Sequence, residues 1–261
     1  MKHHFVKTEN HRRLAAGVAF MNERGSLSSP LCLVHGEPGV GKTRNISNYG
    51  AEYKAVFVKG HVGMSLDGLV WTISKQLGIR HRNNRTAEMD EQINALRGMR
   101  SPLIFDEAQF GLSMKWKKVD AAGIEYVRQL SESAGVFALL VCHDSEVPRF
   151  SNSAHIRTRI AHRIELLEAT QADTEKFVDE LADVDIGKGV GELVYQQTRG
   201  KYRLIENAIA TLERIAAIKN QNRIELEHVI NVTLVVDHED GLIPKVAPVS
   251  KSSGKNQSGD K

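Results

Sequence analysis

The chain is short of cysteine, of long apolar runs and of charge of one sign. Its only cysteines, Cys32 and Cys142, each lie inside a run that reads as a central strand. A small buried thiol accounts for both, and neither points to a disulfide framework or a metal site. No apolar stretch approaches the roughly 18 residues that span a bilayer, and Met1-Lys2-His3-His4-Phe5 lacks the apolar core of a signal peptide. A cytoplasmic protein with no membrane partner is expected. Lys+Arg 35 against Asp+Glu 32 leaves a formal charge of +3, too small an excess to indicate nucleic acid by itself. What the chain does have is 41% hydrophobic residues in 261, enough for the core of one α/β domain with an appendage.

The apolar run Leu31 to Val34 leads into Gly36-Glu37-Pro38-Gly39-Val40-Gly41-Lys42-Thr43, which fits G-x-x-x-x-G-K-[ST]. Glycine at 36, 39 and 41 allows backbone angles closed to other residues. Successive N–H groups can then line a concave anion site at a helix N-terminus. Lys42 would reach the β- and γ-phosphates of ATP, and the Thr43 hydroxyl would ligate Mg²⁺. A Gly-rich turn before an ordinary helix would require the Lys-Thr pair and the strand to be coincidences.

Periodicity predicts a leading helix over 9–24, strand Leu31 to His35, a helix from about Gly41 to Tyr49 and a strand over Ala55 to Lys59. Ser65 should cap a helix with Leu66, Leu69, Val70, Ile73 and Leu77 on one stripe, and Thr86 one carrying Met89, Ile93 and Leu96. Leu103-Ile104-Phe105 is a short apolar strand ending in Asp106-Glu107. Beside a phosphate loop, Asp106 can hold the Mg²⁺ shell and Glu107 can orient or deprotonate the attacking water; a helix-capping pair is the plainer alternative. A helix over Asp120 to Ser133 and a strand over Val136 to Val141 follow, the strand ending at Cys142-His143-Asp144. His143 or Asp144 could then face the γ-phosphate or the lytic water. Ile164 to Leu167 reads as the last strand, Thr170 or Asp173 caps the next helix, and the pattern is helical from Gly189 to about Val235. From Gly241 the Pro-, Ser-, Gly- and Lys-rich composition reads as a flexible basic tail. The alternation predicts a parallel sheet covered by helices on both faces, with strand-end polar residues lining a nucleotide crevice.

With these motifs the chain resembles an AAA+ ATPase, and more narrowly the MuB and TnsC/TniB group of DNA-transposition regulators, over about residues 5–235. The likeness rests on Gly36 to Thr43, on Leu103 to Gln109, on the strand ending at His143, on Arg157 to Arg163 and on Gly200-Lys201-Tyr202-Arg203. It implies a P-loop NTPase (AAA+) α/β fold: a parallel sheet sandwiched by helices over 1–167, a small helical lid domain over 168–240 and the tail over 241–261. His143 would take the sensor-1 position, where related proteins more often have Asn, Thr or Ser. Arg159, with Arg163 behind it, would be an arginine finger reaching a neighbouring subunit's site, and Arg203 the sensor-2 arginine. Members of the family assemble with ATP into filaments or rings on duplex DNA and present it to a transposase, in the bacterial or phage-infected cell. Arg80, Arg82 and Arg85, with Lys115, Lys117 and Lys118 around Trp116, could then contact phosphates without reading sequence; a solvated loop is the plainer reading of the first segment, and a half-buried packing role that of Trp116. MuB also has an N-terminal helix-turn-helix, for which no room is expected here. A loader of the DnaC/IstB kind or an ExeA-like secretion ATPase, acting on a protein partner, is the alternative. A small-molecule kinase fits Asp106-Glu107 poorly, and a two-lobed helicase would need a second sheet.

Overall fold

The computed structural model describes residues 1–24, 29–99, 101–112, 122–152 and 154–235. The expectations for Lys115, Trp116, Lys117, Lys118 and the tail lie outside the described residues. The chain runs through α1 (Glu9–Glu23), β1 (Leu31–His35), α2 (Lys42–Glu52), β2 (Val56–Lys59), α3 (Leu66–Gln76), α4 (Arg85–Met99) and β3 (Leu103–Asp106). It continues through α5 (Ala108–Gly111), α6 (Ala122–Ala134), β4 (Ala138–Val141), α7 (Val147–Ser151), α8 (Ala154–Arg157) and β5 (Ile160–Glu165). Then come α9 (Gln171–Leu181), β6 (Asp185–Ile186), α10 (Val190–Thr198), α11 (Tyr202–Lys219) and β7 (Arg223–Ile224).

The main sheet has five strands in the order β2-β3-β4-β1-β5, and every pairing is parallel. Successive strand residues point to opposite faces, so a strand covered on both sides must be apolar throughout. That is how β1 is built. Leu31 and Leu33 join a core with α3, α4 and α6 through Leu69, Ile73, Leu96 and Leu130, while Cys32 and Val34 join Leu14, Val18 and Ile46 from α1 and α2. A third core holds α9, α10 and α11 together through Phe177, Val178, Val194, Ile205 and Leu212.

Ser65 caps α3 as its sequence suggests, its hydroxyl accepting from Gly68 N at 3.1 Å. Of the two candidates for α9, Thr170 is the cap, accepting from Asp173 N at 3.1 Å. Three expectations need correction. Helix α4 begins at Arg85 with Asn84 Oδ1 accepting from Ala87 N at 3.2 Å, so Thr86 lies within the helix. The last strand is Ile160–Glu165 and not 164–167, because an edge strand tolerates the polar His162 and Arg163 that interrupt its apolar pattern. The segment after Gly189 is not helical throughout, since β7 leaves it to pair in parallel with β6.

Candidate nucleotide site

The loop between β1 and α2 needs glycine at two points, one for its backbone conformation and one for lack of space. Gly41, the residue before α2, has φ 81°, and a Cβ on Gly36 would lie 2.3 Å from the Leu166 carbonyl oxygen. The Lys42 ammonium donates to the carbonyls of Gly36 (2.6 Å) and Glu37 (2.9 Å) and lies 3.5 Å from His143 Nδ1. Burial lowers its pKa, opposed chiefly by the charges of Asp144 and Glu107. Thr43 Oγ1 donates to Asp106 Oδ2 at 3.0 Å, joining the start of α2 to the end of β3. Asp106 is 2% exposed; burial raises its pKa and the Thr43 hydrogen bond opposes the rise. A buried carboxylate beside a hydroxyl, facing the N–H-lined loop, is a donor set suited to a hard, oxygen-seeking cation such as Mg²⁺.

Glu107 takes φ 52°, a left-handed conformation uncommon for a side chain of this kind, with its N–H donating to Asp106 Oδ1 at 3.1 Å. The turn aims its carboxylate at the end of β4. Gln109 Nε2 donates to Glu107 Oε2 at 2.6 Å, and His143 Nε2 stands 3.8 Å from the same oxygen. His143 therefore lies between Lys42 and Glu107. A cavity of about 500 Å³ opens here, walled by Pro38, Gly39, Gly41, Lys42, Thr43, Glu107 and His143 and, across from them, by Tyr202, Arg203 and Glu206 of α11. Arg203 thus joins the site.

Arg159 does not. It precedes β5, and its carbonyl accepts from Leu31 N at the opposite end of β1 from the phosphate loop. The length of β1 separates it from Gly36, about 16 Å at about 3.3 Å per residue. Its guanidinium lies 3.7 Å from Glu132 Oε1. Arg163, within β5, donates to Ser151 Oγ at 2.8 Å. Of the basic segment, Arg82 pairs with Glu91 at 2.5 Å and Arg85 pairs with Asp67, while Arg80 is exposed.

Sequence reasoning missed several residues that shape the site. The Asn10 amide donates to Val40 O (3.0 Å) and Leu167 O (2.7 Å) and accepts from Leu167 N (3.0 Å), tying α1 to the phosphate loop and to the residues after β5. Its signal was available: Asn10 shares the buried stripe of α1 with Leu14, Val18 and Met21, where a polar residue needs partners. Tyr202 N donates to Gly39 O at 3.0 Å, and Arg44 of α2 pairs with Glu206 of α11 across the cavity mouth. Gln109 lay within the recognised motif without a role.

Residues 27–150 match the family model described as AAA domain, and the parallel sheet, the phosphate loop and the acidic pair at the end of β3 fit that likeness to AAA+ ATPases. The chain is also similar to a DNA transposition protein. It is 24% identical over 181 residues to the Mu-like prophage FluMu DNA transposition protein B of Haemophilus influenzae, a match over 66% of this chain. The chain spans about three fifths of that relative's length, 59%. The fold is also that of Cdc6p from Pyrobaculum aerophilum, with TM-score 0.63 and 16% identity over 89% of this chain and 68% of that one. The Aeropyrum pernix ORC2 protein gives TM-score 0.61 and 16% identity over 90% and 70%. Among the described residues no helix is long and apolar enough to cross a membrane.

Proposed function

We propose that this chain is an ATP-hydrolysing, sequence-indifferent DNA-binding subunit that assembles on duplex DNA and delivers it to a transposase. The observation that carries the hydrolytic part is the cavity that brings the phosphate loop, Glu107, His143 and Arg203 together. ATP enters as substrate, its phosphates on the loop N–H groups and on Lys42, whose ammonium exchanges its carbonyl partners for phosphate oxygens. Thr43 and Asp106 would hold Mg²⁺, which would supply neutralisation of the charge developing on the phosphates. Glu107, fixed by Gln109, takes the proton of the attacking water, and His143 reports the γ-phosphate from between Lys42 and Glu107. Arg203 reaches the same phosphate from α11.

Assembly enters through Arg159. At a strand's length from its own cavity it serves a neighbour's site, so that turnover depends on contact between subunits. The DNA and transposase parts draw on the relative described as a DNA transposition protein. Arg80 is the first candidate for a phosphate contact, whereas Arg82 and Arg85 engage DNA only by leaving Glu91 and Asp67. On this reading the nucleotide-binding domain is 1–167, the lid 168–240 and the tail 241–261, in a cytoplasmic protein. Negative-stain electron microscopy with duplex DNA tests it, comparing a slowly hydrolysed ATP analogue with ADP across a salt series. Filaments or rings with the triphosphate alone, weakening as salt rises, are expected. Discrete particles indifferent to DNA would replace this function with that of a loader or secretion ATPase acting on a protein.

A further inference from the structure

Beyond the nucleotide cavity lies a second group of ligating side chains. His35 closes β1, Asp144 follows β4, and Glu165 closes β5. His35 and Glu165 are direct partners in the β1–β5 ladder, so their Cα positions are fixed by the sheet. His35 Nδ1 lies 2.6 Å from Asp144 Oδ1, and one ligand atom from each of the three residues lies within 4.8 Å of the others. The Glu165 carboxylate has no hydrogen-bond or ion-pair partner among the described residues, although a second carboxylate stands beside it. None of the three lines the nucleotide cavity.

We infer that His35, Asp144 and Glu165 form a separate site for a divalent first-row transition metal, with Zn²⁺ the ion that suits it best. Zn²⁺ takes imidazole nitrogen and carboxylate oxygen as ligands, and in an open site three protein ligands leave the fourth tetrahedral position to water. Metal–ligand bonds of about 2.0 to 2.2 Å place neighbouring ligand atoms about 3 to 3.5 Å apart. Glu165 is exposed, and turning its side chain closes the remaining gap without moving the sheet. The ion would remove the repulsion between the two carboxylates and join three adjacent strand ends. His35 directly precedes Gly36, and Asp144 directly follows His143, so the bound metal would fix the start of the phosphate loop against the residue that faces Glu107.

The test is calorimetric titration of Zn²⁺ into the full chain without nucleotide, with the melting temperature followed in parallel. One equivalent should bind and raise the melting temperature; Glu165→Gln, an exposed change, should lose that equivalent, and His35→Gln likewise. The double variant His3→Ala/His4→Ala, which removes a competing imidazole pair, and Thr43→Ala, which alters only the nucleotide cavity, should both retain it. Binding that survives Glu165→Gln, or disappears with His3 and His4, would overturn the site. So would absence of binding. Because no nucleotide is present, failure of the ATPase proposal would not change the result.

Discussion

At the scale of single residues, Asp106 is where burial and charge oppose each other most directly. Its folded pKa lies above the ordinary value of 3.8, because burial penalises the carboxylate more than Thr43 and the backbone relieve it. The ionised form therefore costs stability. That cost is absent below the unfolded value and is reached in full as pH rises through the folded one. Asp106→Asn, which can still pair with Thr43 and Glu107 N, should melt above wild type at pH 7 without nucleotide, and the difference should close as pH falls towards 4; thermal melts across pH check it. Glu107→Gln should bind ATP normally but lose about 10² to 10⁴ in turnover, measured by phosphate release. Normal turnover would remove Glu107 from the role of base. These residues were legible because phosphate-loop and strand-end chemistry is local in sequence. The contacts of Asn10 with Leu167 and of Tyr202 with Gly39 join segments more than 150 residues apart, which no local pattern encodes.

Among the elements, legibility followed burial. Strands β1, β3 and β4, covered on both faces, are wholly apolar apart from their ends and could be read directly. Edge strand β5 mixes Ile160 and Ile164 with His162 and Arg163, so its bounds were misplaced, and β6 and β7, at two residues each, are too short to show a period. Helix starts were readable where one hydroxyl stood alone, as at Ser65. Ser65→Ala should cost about 1 kcal/mol, seen as a lower urea midpoint with unchanged slope. Leu33→Ala, deep between β4 and β5, should cost about 2 to 5 kcal/mol in the same experiment.

For the whole molecule the proposed assembly turns on whether one subunit's turnover depends on the next. Arg159→Ala should leave ATP affinity of the dilute subunit unchanged while DNA-stimulated hydrolysis falls by about 10³ or more, read by nucleotide titration and phosphate release side by side. Unaltered hydrolysis would mean that the arginine stays with Glu132 in its own subunit. The position of Arg159, at the opposite end of the strands from the cavity, also gives any assembly built on it a direction. Each subunit then has a donating side and a receiving side. An open chain exposes an unused arginine at one terminus and, at the other, a loaded site that nothing completes. That last subunit holds its nucleotide longest, so growth and loss should differ between the two termini. A closed ring has no such subunit, and every one of its sites can fire.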